Sequence, residues 1–237
     1  ISIILAISCS NGYETVIKGE ISNLDYPFLL ATYLSSDTLA IDTIPVNKKG
    51  EFSYFVNIDT LTTFSLYMNN YESAAVVFAD RGQKLKVNGD AHLPDLIRVY
   101  GNEINDDLTN FKRLNQDLLK QRAQLINSLY SNREKDSVQV NSLTKKDDIA
   151  NLNLLNHELT LLAEEYIKEN PTKLSSLILI SNFFMNSDTP QALERVLGYI
   201  SGDIKESRIA NRLKTYSEKL NRSAEGAHIP YFQLTDN

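Results

Sequence analysis

The 237-residue chain has no tryptophan, one cysteine and three histidines. A single cysteine excludes an intrachain disulfide. It also excludes a Cys-x-x-Cys redox pair within these residues, because disulfide exchange at one site needs two thiols. His92, His157 and His228 stand in a loop, a helix and a terminal linker, and no two share the i, i+3 or i+4 spacing of a helical metal site, so no metal ligand is expected. Gly82 and Gly89 are isolated turn residues rather than a phosphate-binding loop, and no Gly-x-Ser-x-Gly elbow occurs. With a net charge of −6 and no Lys/Arg stripe, nucleic acid is not an expected partner and neither is purely electrostatic membrane binding. The adjacent acids Asp147-Asp148 and Glu164-Glu165 read as solvated charge. No catalytic residue and no cofactor are expected within these residues.

What is present is material for a packed body. Apolar residues make up 42% of the chain and charged ones 23%, enough for a core without disulfides and sufficient for one to two domains. Residues 13–100 carry the β signal. Tyr13 to Leu24 reads as a strand with Gly19 inside it as a candidate bulge. Phe28 to Leu34 is nearly all apolar and predicts a strand buried on both faces. Leu39 to Val46 alternates and faces Phe52 to Ile58 across Asn47-Lys48-Lys49-Gly50, the pattern of a hairpin. Thr62 to Met68, Ala74 to Phe78 and Lys84 to Val87 follow, separated by Asn69-Asn70 and Asp80-Arg81-Gly82. Seven or eight strands with turn signals between them predict a sandwich or barrel. Tyr13, Tyr26, Tyr33, Tyr54, Tyr67 and Tyr71 crowd this half, either filling the core or forming an aromatic ligand face.

From Asn102 the period becomes 3.6. Ile104, Leu108, Phe111, Leu114, Leu118, Leu125 and Leu129 predict one long amphipathic helix, and Ile149 to Ile167 a second. Asn170-Pro171 and Thr189-Pro190 read as helix starts with proline at the first helical position. The helix over 174–185 is apolar nearly all round and is the expected buried one, and a charged helix over 204–220 closes the series. The fold class is therefore α+β multidomain, with an N-terminal antiparallel all-β sandwich or barrel-like domain followed by an α-helical segment over 102–222.

Both ends carry short motifs. Ile1 to Ser8 is apolar and uncharged but shorter than the ~20 residues that span a bilayer. It matches the tail of a secretory signal, with its charged start and its methionine missing. Leu5-Ala6-Ile7-Ser8-Cys9 resembles the bacterial lipobox, in which a small residue precedes a cysteine that becomes lipidated. Cys9 is therefore the expected lipidation site, residues 1–9 the signal remnant, and the protein is expected to be periplasmic and tied to a cell-envelope membrane. At the other end, Gly226-Ala227-His228-Ile229-Pro230-Tyr231-Phe232-Gln233-Leu234-Thr235-Asp236 resembles the opening of thioredoxin-like domains of the TlpA and AhpC/TSA type, which begin Gly-x-Ala-Pro-Asp-Phe before an alternating stretch. Ile229 and Tyr231 depart from that pattern. Residues 223–237 are thus expected to be the truncated start of such a domain.

Four segments in order resemble the DUF4369 domain found ahead of thioredoxin-like domains in lipoproteins of Bacteroidota. Val16-Ile17-Lys18-Gly19-Glu20-Ile21 is similar to its opening strand, and Ile41-Asp42-Thr43-Ile44-Pro45-Val46 with Gly50-Glu51-Phe52-Ser53-Tyr54 to its hairpin. Ala75-Val76-Val77-Phe78 with Gly82-Gln83-Lys84-Leu85-Lys86-Val87 is similar to a further strand pair. Val99-Tyr100-Gly101-Asn102-Glu103-Ile104-Asn105 is similar to its closing motif, with Asn102 where Ser or Thr is usual. The resemblance implies an accessory β domain without chemistry of its own. It implies a helical segment that is a spacer or a homodimer contact, and a parent thiol–disulfide oxidoreductase whose cysteines lie outside this chain and whose partners are periplasmic client proteins. Two other classes remain open from the residues: a stand-alone envelope lipoprotein that binds a peptide or glycan, and a structural dimerisation module.

Overall fold

The computed structural model describes residues 14–35, 38–69, 74–134, 142–185 and 190–223. The Cys9, His228 and Gly226–Asn237 expectations lie outside them. The class is α+β, with eight strands followed by helices among the described residues. The strands are β1 (Thr15–Ser22), β2 (Phe28–Ser35), β3 (Thr38–Pro45), β4 (Glu51–Val56), β5 (Thr62–Tyr67), β6 (Ala74–Ala79), β7 (Lys84–Asp90) and β8 (Arg98–Tyr100). They form two four-stranded sheets, β4-β1-β7-β8 and β3-β2-β5-β6. All pairs are antiparallel except one. β1 and β7 run parallel, Val16 opposite Lys84 through Ser22 opposite Asp90, so the sandwich is mixed rather than purely antiparallel.

Alternation decides what each sheet buries. β4 places Phe52, Tyr54 and Val56 inward and β5 places Phe64 and Leu66 inward, as successive side chains point to opposite faces. Ile17, Ile21, Leu29, Ala31, Ile44, Val77, Leu85 and Val87 complete the core between the sheets. β2 corrects the expectation of a strand buried on both faces. Leu29 and Ala31 are buried, whereas Leu30 is half-buried and Leu34 is exposed.

The expected hairpin of residues 39–46 and 52–58 does not form. β3 pairs along its whole length with β2, and β4 pairs with β1 in the other sheet. The link between them is a corner. Gly50 N–H donates to Asn47 O, and Asn47 Oδ1 accepts from the N–H groups of Lys49 and Glu51. Five residues, at about 3.3 Å each, span the roughly 10 Å between packed sheets with length to spare. The same holds for β6 and β7, consecutive in sequence but in opposite sheets. Gly19 is not at a bulge either, because its register with Phe52 and Val87 is unbroken. It is glycine because an added Cβ would stand 2.1 Å from Val87 O and 2.9 Å from the Phe52 ring.

The helices are α1 (Glu103–Leu114), α2 (Gln116–Glu134), α3 (Ser142–Glu169), α4 (Leu174–Phe184), α5 (Pro190–Tyr199) and α6 (Arg208–Ser223). The sequence pattern predicts one long stripe from Ile104 to Leu129; a break at Asn115 divides it. The Asn115 side chain folds back to Phe111 O, and the buried positions beyond it become Leu119 and Ala123 while Leu114 is exposed. Asn170-Pro171 is likewise not a helix start. Asn170 Nδ2 caps α3 by donating to Tyr166 O, and α4 begins three residues after Pro171. Pro190 does open α5. α4 is the buried helix, with Leu177, Leu179, Ile180 and Phe184 inside.

The chain divides into two compact units between Asp148 and Ile149. The change of period at 102 and the change of unit therefore fall at different places, because α1 packs on β8 and β6 and α2 on the turn before β8. No helix among the described residues is long and apolar enough to cross a membrane.

Candidate functional site

Helix α1 closes one side of the sandwich by supplying side chains to two sheet edges. β6 and β8 are edge strands of different sheets, and α1 packs on both. Asn105, which is buried, accepts from Phe78 N–H at 3.1 Å through Oδ1 and donates to Phe78 O at 2.6 Å through Nδ2. One turn on, buried Thr109 accepts from Val99 N–H at 2.9 Å and its hydroxyl donates to Val99 O at 2.7 Å. The i, i+4 spacing puts both on one helix face. Each satisfies both the donor and the acceptor of one edge residue, as a neighbouring strand would.

Lys112 lies on the same helix and donates from Nζ to Ile97 O at 2.9 Å. Burial pulls its pKa below the ordinary lysine value, and the nearby Asp95 carboxylate opposes that fall. Asp95, three residues after His92, is itself held by Arg122 of α2.

The opposite side is closed by a polar clasp between the edges β3 and β4. Tyr54 of β4 donates its hydroxyl to Asp42 Oδ2 of β3, and the Tyr33 hydroxyl donates to the same oxygen at 3.3 Å. Both rings pack on Phe64, with centroids 4.7 Å away for Tyr33 and 6.1 Å for Tyr54. Burial, then the Asp42 bond, pushes the Tyr54 hydroxyl above its ordinary pKa. Tyr33 and Tyr54 thus fill the core edge, while Tyr26 is exposed and Tyr67 half-buried; Tyr13 and Tyr71 lie outside the described residues.

A third construction joins the start and the end of the β region through the turn 80–83. Thr15 Oγ1 donates to Asp80 O at 2.9 Å and accepts from Gly82 N–H at 3.0 Å, and Val16 N–H donates to Gln83 O at 2.8 Å. Asn102, the N-cap of α1, donates from Nδ2 to Gln83 Oε1 at 2.7 Å and to Phe78 O at 2.8 Å. Gly101 at φ 119° makes the close pass that this needs, since a Cβ there would meet Lys84 O at 2.5 Å.

In the second unit Glu164 departs from its reading as solvated charge. It is buried, and it takes Arg195 Nη2 at 2.9 Å, Arg195 Nε at 3.2 Å, the Tyr199 hydroxyl at 3.1 Å and Lys168 Nζ at 3.1 Å. Adjacent Glu165 is exposed. The Arg195 hydrogen bonds are the main cause that holds the Glu164 carboxyl down at about 2. A carboxyl depressed in the fold contributes stability that is present above its unfolded value, about 4.3, and is lost as pH falls toward 2. With the cations half in water, that contribution is on the order of 2 kcal/mol. Acid titration of unfolding is expected to show a loss of this size between pH 5 and pH 2. In Glu164→Gln this step should disappear, and persistence of the full step would rule out the assignment.

His92 is exposed and its backbone N–H donates to Asp90 Oδ1; His157 is exposed on α3. Among the described residues no group of three or more His, Cys, Asp or Glu is placed to hold a metal ion. What the described polar clusters do is join elements of the fold.

A mixed two-sheet sandwich whose open side is plugged by a following helix defines the class. Residues 15–108 match the family model described as a domain of unknown function, DUF4369, so a DUF4369 domain covers the eight strands and the first half of α1. Its limit falls at Leu108, one residue before Thr109 reaches Val99. No curated protein matches the chain.

Proposed function

We propose that this chain is the membrane-anchored, non-catalytic N-terminal module of a periplasmic thioredoxin-like thiol–disulfide oxidoreductase, a lipoprotein of the Bacteroidota type. Its β and helical parts position a redox domain and engage client proteins. The observation that carries the reading is the DUF4369 domain over residues 15–108, since the lipoproteins that the sequence resembles carry such a domain ahead of a thioredoxin-like one. The lipobox-like Leu5-Ala6-Ile7-Ser8-Cys9 and the Gly226–Asn237 motif support it from either side. The redox step itself would be exchange through a mixed disulfide on cysteines outside this chain.

Two measurements test it. The reading frame beyond Asn237 is expected to encode Trp-Cys-x-x-Cys; a stop codon directly after Asn237 removes the oxidoreductase. Each buried acyl methylene contributes about 0.8 kcal/mol and stable anchoring takes at least two chains. A lipidated Cys9 therefore sediments with membranes, and Cys9→Ala is expected to move the protein to the soluble fraction. Retention of the alanine variant on washed membranes removes the anchor.

A further inference from the structure

We infer that β3 is a pairing edge for a second copy of this chain: β3 of one protomer lies antiparallel to β3 of its partner, joining two β3-β2-β5-β6 sheets into one. Unpaired edges are a liability that folds protect with charge, proline, bulges or cover. Here the protection is uneven. Edges β6 and β8 are met by Asn105 and Thr109 of α1. Edge β4 has Glu51 and Ser53 on its exposed face, and Lys18 Nζ stands 5.7 Å from the centre of the exposed Phe55 ring. Among the described residues β3 has the least protection, one inward charge and a proline only at its last position. It is eight residues long, pairs without a bulge along β2, and has no lysine, arginine or proline before its last residue. Its one charge, Asp42, points between the sheets, where the Tyr54 and Tyr33 hydroxyls take it up.

On the outer face, Leu39 and Ile41 are each 61% exposed, as is Leu34, the cross-strand neighbour of Leu39. The occupant must bring an extended, uncharged strand with apolar side chains on alternate positions. In a chain of net charge −6, self-association is opposed wherever carboxylates meet, so a self-pairing surface must be one that holds no charge. The outer face of β3 is such a surface, and β3 is its own complement. A two-fold axis through Ala40 sets Leu39 opposite the partner's Ile41, and Ile41 opposite the partner's Leu39. Asp42 then faces the partner's Thr38 rather than a second carboxylate. Such an isologous contact closes at two copies, with backbone bonds supplying attraction and apolar cross-strand pairs fixing the register. The inference stands whether or not a redox domain follows.

The test uses the full chain. Sedimentation velocity across the micromolar range is expected to show monomer converting to dimer, while amide exchange over 38–45 slows several-fold as dimer forms and exchange in α5 and α6 does not. Ile41→Lys, at an exposed position, is expected to keep its circular dichroism and melting temperature but weaken dimerisation at least tenfold. Leu161→Lys, on exposed α3 surface, should leave dimerisation unchanged. A monomer at every concentration overturns the inference, as does a dimer that survives Ile41→Lys. Exchange over 38–45 that is slow at every concentration overturns it too, by assigning the edge to another segment of the same chain.

Discussion

Gly19→Ala is expected to destabilise the β unit by on the order of 3 kcal/mol or more, well above the cost of an ordinary glycine-to-alanine change. β1 is a central strand, bonded to β4 on one side and β7 on the other, so neither neighbour can retreat without breaking a ladder. A methyl group on Gly19 would lie 2.1 Å from the carbonyl oxygen of Val87, a backbone atom, and 2.9 Å from the Phe52 ring in the core. Thermal unfolding followed by circular dichroism should fall by roughly 10 °C. A loss below about 1 kcal/mol would show that β1 and β7 separate freely and that the parallel pairing is wrong.

Asn105→Ala is expected to cost about 2–4 kcal/mol, a large effect for a polar residue on a helix. It leaves the Phe78 N–H buried without an acceptor and opens space where a fully enclosed side chain stood. Phe78 O keeps Asn102, so the donor is the group that suffers. Thr109→Val, which preserves shape while removing both bonds to Val99, should cost about 1–3 kcal/mol. The double variant should cost less than the sum of the two, because either change loosens the same helix from the same gap. Native-state hydrogen exchange checks this directly. The Phe78 amide should lose protection in Asn105→Ala while Ile17 and Val87 in the central strands keep theirs; unchanged Phe78 exchange would remove the role given to Asn105.

Local pattern carries the elements in this chain and is silent on their partners. Phe52, Tyr54 and Val56 alternate so strictly that β4 is legible, yet the same alternation suits a hairpin with β3 or a corner into the other sheet. Only the pairing of Thr15 with Val56 through Glu20 with Glu51 resolves it. Pro190 is legible as a helix start because proline fixes the first helical φ at no hydrogen-bond cost. Pro171 looks the same in sequence and lies in a turn, since Asn170 before it is already occupied in capping α3. The polar residues that matter most are the least visible. Asn105 and Thr109 resemble any polar positions on a helix, and their meaning comes from two strand edges that the chain brings together from positions 78 and 99. Glu164 is indistinguishable from Glu165 until α5 delivers Arg195 and Tyr199 to one of them. The DUF4369 resemblance was legible from four short segments, and the family match covers the same stretch.

The turn at 80–83, which holds Thr15 and Val16 on one flank and Asn102 on the other, has a consequence for reach. β1 starts beside the start of β7, and Lys86 near that start faces Tyr100 at the end of β8. The chain thus enters and leaves the eight-stranded sandwich at the same end of one sheet, two strand spacings or about 10 Å apart. Nearly ninety residues of polypeptide lie between those points, yet they lengthen the path from one neighbour to the next by only about a nanometre. The sandwich is a pendant on that path, and any further distance must come from segments other than its strands.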